Sequence, residues 1–329
     1  MNYNNVIGQN EIKESLSYGL MNDKVSHAYI FNGPRGIGKK TMAQIFAAML
    51  LCKYPKAHGA CGECDPCKMF KIGTNPDLYI VKPLKSSISV DQIRELQEDI
   101  IIKPLYSEHK VYIVEDADSM TVQAQNCLLK TLEEPPSYAV VILTLENINS
   151  ITETIRSRAV RLNFKKNTYD EVYNYLSSKY DNDPKVLNFI ASYSDGVIGV
   201  AEELLKSGEF NDLRESTIEM LAILCEPADR ESYEVSAFFE QNKEYISEVL
   251  DIMLMFYRDM LIVRETGDES ILINSDKKDI ILLNAYNLTT SKILENIDTI
   301  MKTKINLQQN ANYQLSIDVM LMKIRQIAI

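Results

Sequence analysis

The chain has 329 residues, 46% apolar and 25% charged, which excludes disorder as its main state and fits about two domains, or three. Asp plus Glu number 46 against 35 Lys plus Arg, a net charge of −11. The overall field therefore opposes nucleic acid, and any DNA contact must come from a local patch or from partners. No apolar run reaches the ~20 residues that span a bilayer. Met1-Asn2-Tyr3-Asn4-Asn5 lacks a basic segment leading into an apolar one, so the expectation is a cytoplasmic chain with reduced thiols.

The first strand signal, Ala28-Tyr29-Ile30-Phe31, runs into Gly33-Pro34-Arg35-Gly36-Ile37-Gly38-Lys39-Lys40-Thr41. A helix from Lys40 to Cys52, rich in Ala, Met and Leu, follows. The pattern is G-x-x-x-x-G-K, in which Gly33, Gly36 and Gly38 let backbone N–H groups wrap an anion at a helix N-terminus. Lys39 is the residue that reaches β- and γ-phosphates. The next position needs a hydroxyl for Mg²⁺ and here is Lys40, whose ammonium has no lone pair. Thr41 lies about 100° further round the helix and is not an obvious replacement. The expectation is a phosphate-loop fold without a competent Mg·ATP site. A glycine-rich turn that needs no ligand is the plainer alternative.

Cys52, Cys61, Cys64 and Cys67 come next, spaced C-x8-C-x2-C-x2-C. Four thiolates at this spacing can enclose a tetrahedral Zn²⁺ in a closed, structural site. Free thiols and disulfides are the alternatives, and disulfides suit secreted chains. Cys127 and Cys225 sit in apolar helical segments as expected core residues. His27, His58 and His109 are scattered and form no constellation.

Further strands are expected at Leu78–Val81, Lys110–Val114, Ala139–Leu143 and Val160–Phe164. Helices are expected after Ser89, with Gln92 at capping-box spacing, and from Thr121 to Glu134, stopped by Pro135-Pro136. Continuous apolar strands alternating with helices point to a parallel α/β sheet covered on both faces. The strand from Lys110 ends in Glu115-Asp116. A hydrolytic site needs an Asp on the metal and a Glu on the attacking water, and this order is reversed. Beyond Lys166 the signals are helical: Tyr169–Lys179, Pro184–Tyr193, Gly196–Lys206, Leu213–Leu224, Glu244–Glu265, Ile280–Met301 and Leu307–Ile327. The last carries Leu315, Val319, Met322 and Ile327 among its apolar positions. The expected division is a phosphate-loop domain at 1–165, a small helical domain at 166–208 and a larger helical domain at 209–329.

Several segments together resemble the bacterial clamp-loader AAA+ family. They are Val6-Ile7-Gly8-Gln9, Ser26 to Pro34, the cysteines inserted after the first phosphate-loop helix, and Asn126-Cys127-Leu128-Leu129-Lys130-Thr131-Leu132-Glu133-Glu134-Pro135-Pro136. Thr154-Ile155-Arg156-Ser157-Arg158 resembles the family's Ser-Arg-Cys motif, with Ala159 in place of the Cys. The resemblance implies a AAA+ module with a helical lid and an all-α collar, in a five-subunit ring that places the sliding clamp on primed DNA for DNA polymerase III.

It also implies a nucleotide site at Val6, Ile7, Gly33, Gly36, Gly38, Lys39, Lys40, Thr41, Glu115 and Asp116. Arg158 becomes a finger that reaches a neighbour's ATP site; as a plain surface arginine it would keep company with Arg156 and Arg161. Lys40, the Glu115-Asp116 order and Gly199, where a motor carries a sensor arginine, favour the delta-prime type. So does an end at Ile329 without the extension of tau. Partners would be gamma/tau and delta subunits. The alternative is the ATP-hydrolysing gamma/tau motor, and from another class a zinc-binding nucleotide kinase, for which no acceptor-pocket signature is present.

Overall fold

The structure is a computed structural model that describes residues 1–224 and 232–325. The chain divides into two compact units, one of residues 1–175 with 195–200 and one of 176–194 with 201–329. Cys225 and Ile327 lie outside the described residues.

The first unit is built on five parallel strands: β1 Ala28–Asn32, β2 Leu78–Val81, β3 Lys110–Val114, β4 Ala139–Leu145 and β5 Val160–Asn163. Their order is β2-β3-β4-β1-β5. Successive side chains on a strand face opposite ways, and both directions are apolar here. Tyr29, Phe31, Val111, Ile113, Val140 and Ile142 join one buried cluster with Ile45, Phe46 and Met49. Ala28, Ile30, Tyr112, Val114, Val141 and Leu143 join the other with Ile93, Leu96 and Leu128. Two-sided burial explains why β1, β3 and β4 read as continuous apolar runs. Each fully buried Ile or Phe contributes roughly 1.5–3 kcal/mol. β5 departs from the expectation: Val160, Arg161 and Asn163 are exposed, as an edge strand permits.

Helix starts follow from local chemistry. Ser89 and Gln92 form the reciprocal capping box expected of them, and the helix Val90–Ile100 buries Ile93, Leu96 and Ile100. Thr121 caps Val122–Glu133 through the N–H of Ala124. Cys127 is only half-buried, and its Sγ donates to Gln97 Oε1 at 3.0 Å.

The second unit is helical. Its core is lined by Phe256, Met253 and Met260 of the helix Ile246–Thr266, Ile293 and Ile300 of Thr290–Gln308, and Ile317 and Met320 of Tyr313–Arg325. Two expected helices change. Ile280–Met301 is two helices, Lys278–Asn287 and Thr290–Gln308, because Leu288 is extended and Thr289 caps the second through Lys292 N–H. Leu307–Ile327 is interrupted at Asn310, which has φ +62, and resumes at Tyr313. On that last helix Leu315, Val319 and Met322 face outward, and Ile317, Met320, Leu321 and Ile324 are buried.

A buried polar cluster holds the loop after Ile246–Thr266. Asp259, fully buried, accepts from Arg258 Nη1 (2.6 Å), Ile273 N (3.2 Å), Asn274 N (2.8 Å) and Asn274 Nδ2 (2.9 Å). Arg214 grips Asp276 with both terminal guanidinium nitrogens, at 2.8 and 2.7 Å, while lying 3.9 Å over the Phe189 ring. Among the described residues no helix is long and apolar enough to cross a membrane.

Candidate functional site

β1 lies beside β4, and β4 beside β3, so the loop after β1 and the acidic end of β3 meet at the C-terminal edge of the sheet. In open parallel sheets this edge is where ligands bind. Gly36 and Gly38 have φ of +81° and +101°, the left-handed region that only glycine enters freely, and Gly38 delivers the chain into the helix Lys39–Leu51. Lys39 is buried, and its Nζ donates to the carbonyls of Gly33 (2.5 Å) and Pro34 (2.8 Å). Burial lowers its pKa, against the raising influence of Glu146, Asp116 and Asp118. Val6 is buried against this loop, 3.4 Å from where a Cβ on Gly38 would stand, and Ile7 is half-buried. Lys13 Nζ holds Val6 O at 2.6 Å.

Lys40 turns the other way. Its Nζ is 2.7 Å from Asp116 Oδ2 and 3.4 Å from Glu115 Oε2. Burial would lower the Lys40 pKa, but the hydrogen bond and charge of Asp116, with Glu115 behind it, raise it instead. Thr41 is exposed. The structure thus gathers Val6, Gly33, Gly36, Gly38, Lys39, Lys40, Glu115 and Asp116 into one place.

Three further residues belong to this place, of which Thr144 and Lys82 were not singled out for it from sequence. Thr144, ending the apolar run of β4, accepts the Asp116 N–H at 3.2 Å; a polar residue closing such a run was the signal available. Lys82 Nζ lies 3.7 Å from Glu115 Oε1, with no sequence signal. Gly199, read from the resemblance as a missing arginine, donates its N–H to Gly36 O at 3.0 Å. A Cβ there would stand 2.7 Å from Gly36 Cα and O, so the close backbone approach itself requires glycine.

Arg158 follows the short helix Glu153–Arg156. Its Nη2 is 2.9 Å from Glu133 Oε1 and its Nη1 donates to Thr154 O at 3.0 Å. The side chain is 36% exposed.

The four cysteines converge as their spacing predicts. Cys52 ends one helix, Cys64 precedes the helix Asp65–Lys71, and Cys67 lies within it. All four Sγ atoms lie within 4.8 Å of one another. The Cys52–Cys64 and Cys61–Cys67 separations are both 3.9 Å. Sulfurs ~2.3 Å from a tetrahedral metal are about 3.8 Å apart, so the donor set fits a four-coordinate ion and is far too wide for disulfides. N–H groups of Tyr54 and Cys61 point at Cys52 Sγ, and those of Glu63 and Cys64 at Cys61 Sγ, bonds that steady metal-bound thiolates. The Cys64 and Glu63 N–H groups lower the Cys61 pKa to about 6, whereas burial raises Cys52 and Cys67. The loop is fastened to the start of the chain: Tyr3 N–H donates to His58 O at 2.9 Å and Ala60 N–H to Met1 O at 3.2 Å.

The family described as DNA polymerase III, delta subunit, matches residues 8–168, and its C-terminal counterpart matches 209–326. DNA polymerase III subunit delta-prime of Bacillus subtilis (strain 168) is 31% identical over 310 residues, covering 93% of each chain. The tau subunit of the same organism is 28% identical over 346 aligned positions, 98% of this chain and 61% of tau. A gamma subunit-related protein of Thermotoga maritima aligns over 95% of this chain and 98% of its own, at 20% identity and a TM-score of 0.48. With matches to both family regions and a delta-prime relative over nearly its whole length, the chain belongs to the DNA polymerase III delta-prime subunit family.

Proposed function

We propose that this chain is a largely non-hydrolysing AAA+ subunit of a clamp loader, and that it supplies Arg158 to the ATP site of a neighbouring subunit. The observation that carries this reading is Lys40. Its ammonium is paired with Asp116 and Glu115, the carboxylates a hydrolytic site keeps for metal and water. Gly199 agrees with it, since its contact with Gly36 leaves no room for a sensor arginine. Arg158 suits a finger because its guanidinium is held by an exposed carboxylate and by weak contacts within its own turn, the Thr154 carbonyl and the Ser157 hydroxyl.

In this reading 1–165 is the AAA+ domain, 166–208 the lid and 209–329 the collar that joins gamma/tau and delta subunits in a five-subunit ring. The four cysteines hold a structural Zn²⁺. Sliding clamp and primed DNA are met through the complex, in the cytoplasm; the charge of −11 leaves the isolated chain a poor DNA ligand.

The alternative is a gamma/tau-type motor, which the intact Lys39 and the likeness to tau favour. A steady-state ATPase assay on the isolated chain separates the two. Background turnover, unchanged by Lys39→Ala, is the expected result. Turnover that Lys39→Ala abolishes would establish the motor.

A further inference from the structure

In phosphate-loop sites a divalent cation is held by the hydroxyl that follows the loop lysine and by the acidic end of a nearby strand, and it offsets the charge gathered there. In this chain the same place holds a side chain. Lys40 Nζ bridges Asp116 Oδ2 at 2.7 Å and Glu115 Oε2 at 3.4 Å. The Glu115 side chain is only 7% exposed, and a buried carboxylate needs a counter-charge. Lys82 approaches its other oxygen at 3.7 Å, from a side chain that is 63% exposed.

The backbone is shaped to the same end. Asp116 has φ +51 and ψ +50, a left-handed conformation uncommon outside glycine, and its N–H is fixed by Thr144. Lys39, one residue earlier, is turned into the loop carbonyls. The two adjacent lysines thus divide the work, one facing the loop and the other the carboxylates.

We propose that the Lys40 ammonium is the resident cation of this loop, standing where a divalent ion would stand between the phosphate loop and Glu115-Asp116, and that it thereby excludes Mg²⁺ while keeping the buried carboxylate balanced. Lys40 is then a positive structural device as well as a missing ligand. The inference rests on the phosphate-loop reading of Gly33–Lys39 and is independent of ring assembly and of Arg158.

The test is denaturant unfolding of the full chain across a millimolar Mg²⁺ series, with KCl matched for ionic strength. The variants are Lys40→Ala, Lys40→Arg and the triple Lys40→Ala, Glu115→Gln, Asp116→Asn. The wild type and Lys40→Arg should not respond to Mg²⁺ beyond the salt control. Lys40→Ala should unfold at lower denaturant, and Mg²⁺ at ten times its dissociation constant should raise its folded-to-unfolded ratio about tenfold. The triple variant should lose that response and recover stability toward the wild type, because nothing is left to balance. It serves as the reference if Lys40→Ala is too unstable to purify.

The proposal is overturned if Lys40→Ala is as stable as the wild type and indifferent to Mg²⁺. Equal Mg²⁺ stabilisation of both proteins also overturns it, as does a triple variant no more stable than Lys40→Ala. None of these outcomes bears on subunit type, which the turnover assay reads separately.

Discussion

Replacing Arg158 with alanine should barely change the stability of the isolated chain and should slow the assembled complex. In the chain the guanidinium meets Glu133 Oε1 at 2.9 Å, with side chains 36% and 50% exposed. A solvent-exposed pair of this kind is worth about 0–1 kcal/mol, and truncation leaves Glu133 in water rather than stranded. The same exposure means that leaving Glu133 for a neighbour's phosphates costs little. Arginine fingers in GTPases contribute about 10³–10⁵ in kcat, or about 4–7 kcal/mol of barrier at ~1.36 kcal/mol per tenfold. At the one ATP site it would serve, the loss therefore exceeds the loss in chain stability by several kcal/mol, and each has its own assay: denaturant unfolding of the chain, and DNA- and clamp-stimulated ATPase of the reconstituted complex. On the proposed reading the ATPase loss should be partial, because the remaining ATP sites would keep fingers from motor subunits. Arg158→Lys should not restore it, since an ammonium lacks the planar fork. A reconstituted Arg158→Ala complex that turns over ATP and loads clamps at the wild-type rate would refute the finger. A stability loss of several kcal/mol in the chain alone would refute the structural half of the argument.

Protein purified without chelator should carry about one zinc per chain by elemental analysis, and Cys64→Ser should lose it. Chelation should speed hydrogen exchange at the Tyr3 and Ala60 amides, which fasten the cysteine loop to the chain start, while amides of β3 and β4 stay protected; uniform exchange would mean the metal holds the whole unit. Asp259→Ala strands three donors of Ile273 and Asn274 in a buried site and should cost roughly 3–5 kcal/mol in a denaturant titration, in the range for breaking a buried charged network; a loss under ~1 kcal/mol would count against that network. Asp276 has a pH signature. Burial alone would raise its pKa, but its bonds to Arg214 more than offset this and hold it below the ordinary Asp value. A lowered folded pKa gives stability that is present above the unfolded value and lost as pH falls through the folded one. The stability gap between wild type and Asp276→Asn should therefore be full at neutral pH and shrink below pH ~4; a gap unchanged at low pH would remove charge from the explanation.

Much of the first unit was legible from the chain because its signals are local. Gly33 to Lys39 follows a strand and opens a helix, and that order places the loop at the sheet edge. The cysteine spacing predicts a convergence that backbone turns at Cys61–Cys67 carry out within a few residues. Ser89 and Gln92 predict a capping box because both partners lie within one turn. The helical half was less legible. Apolar periodicity located the helices Ile246–Thr266 and Pro184–Tyr193 to within two residues, yet it ran through the breaks at Leu288 and Asn310. Neither break carries a proline or glycine, the usual mark of an interrupted helix.

The sequence by itself determined where the chain departs from a hydrolytic pattern: a lysine where Mg²⁺ needs a hydroxyl, and a Glu-Asp order where hydrolysis wants the reverse. Only the tertiary structure decided what those residues do instead. Lys40 and Asp116 are 76 positions apart, and their 2.7 Å contact depends on β1 and β3 both flanking β4, a juxtaposition that no spacing along the chain encodes. Gly199 is a glycine for a reason visible only where its backbone meets Gly36. On the last helix Leu315, Val319 and Met322 share a periodicity that suits burial, while the buried face is that of Ile317, Met320 and Ile324. Hydrophobic period marks a helix as amphipathic, but which stripe turns inward is set by the neighbouring helices it packs against.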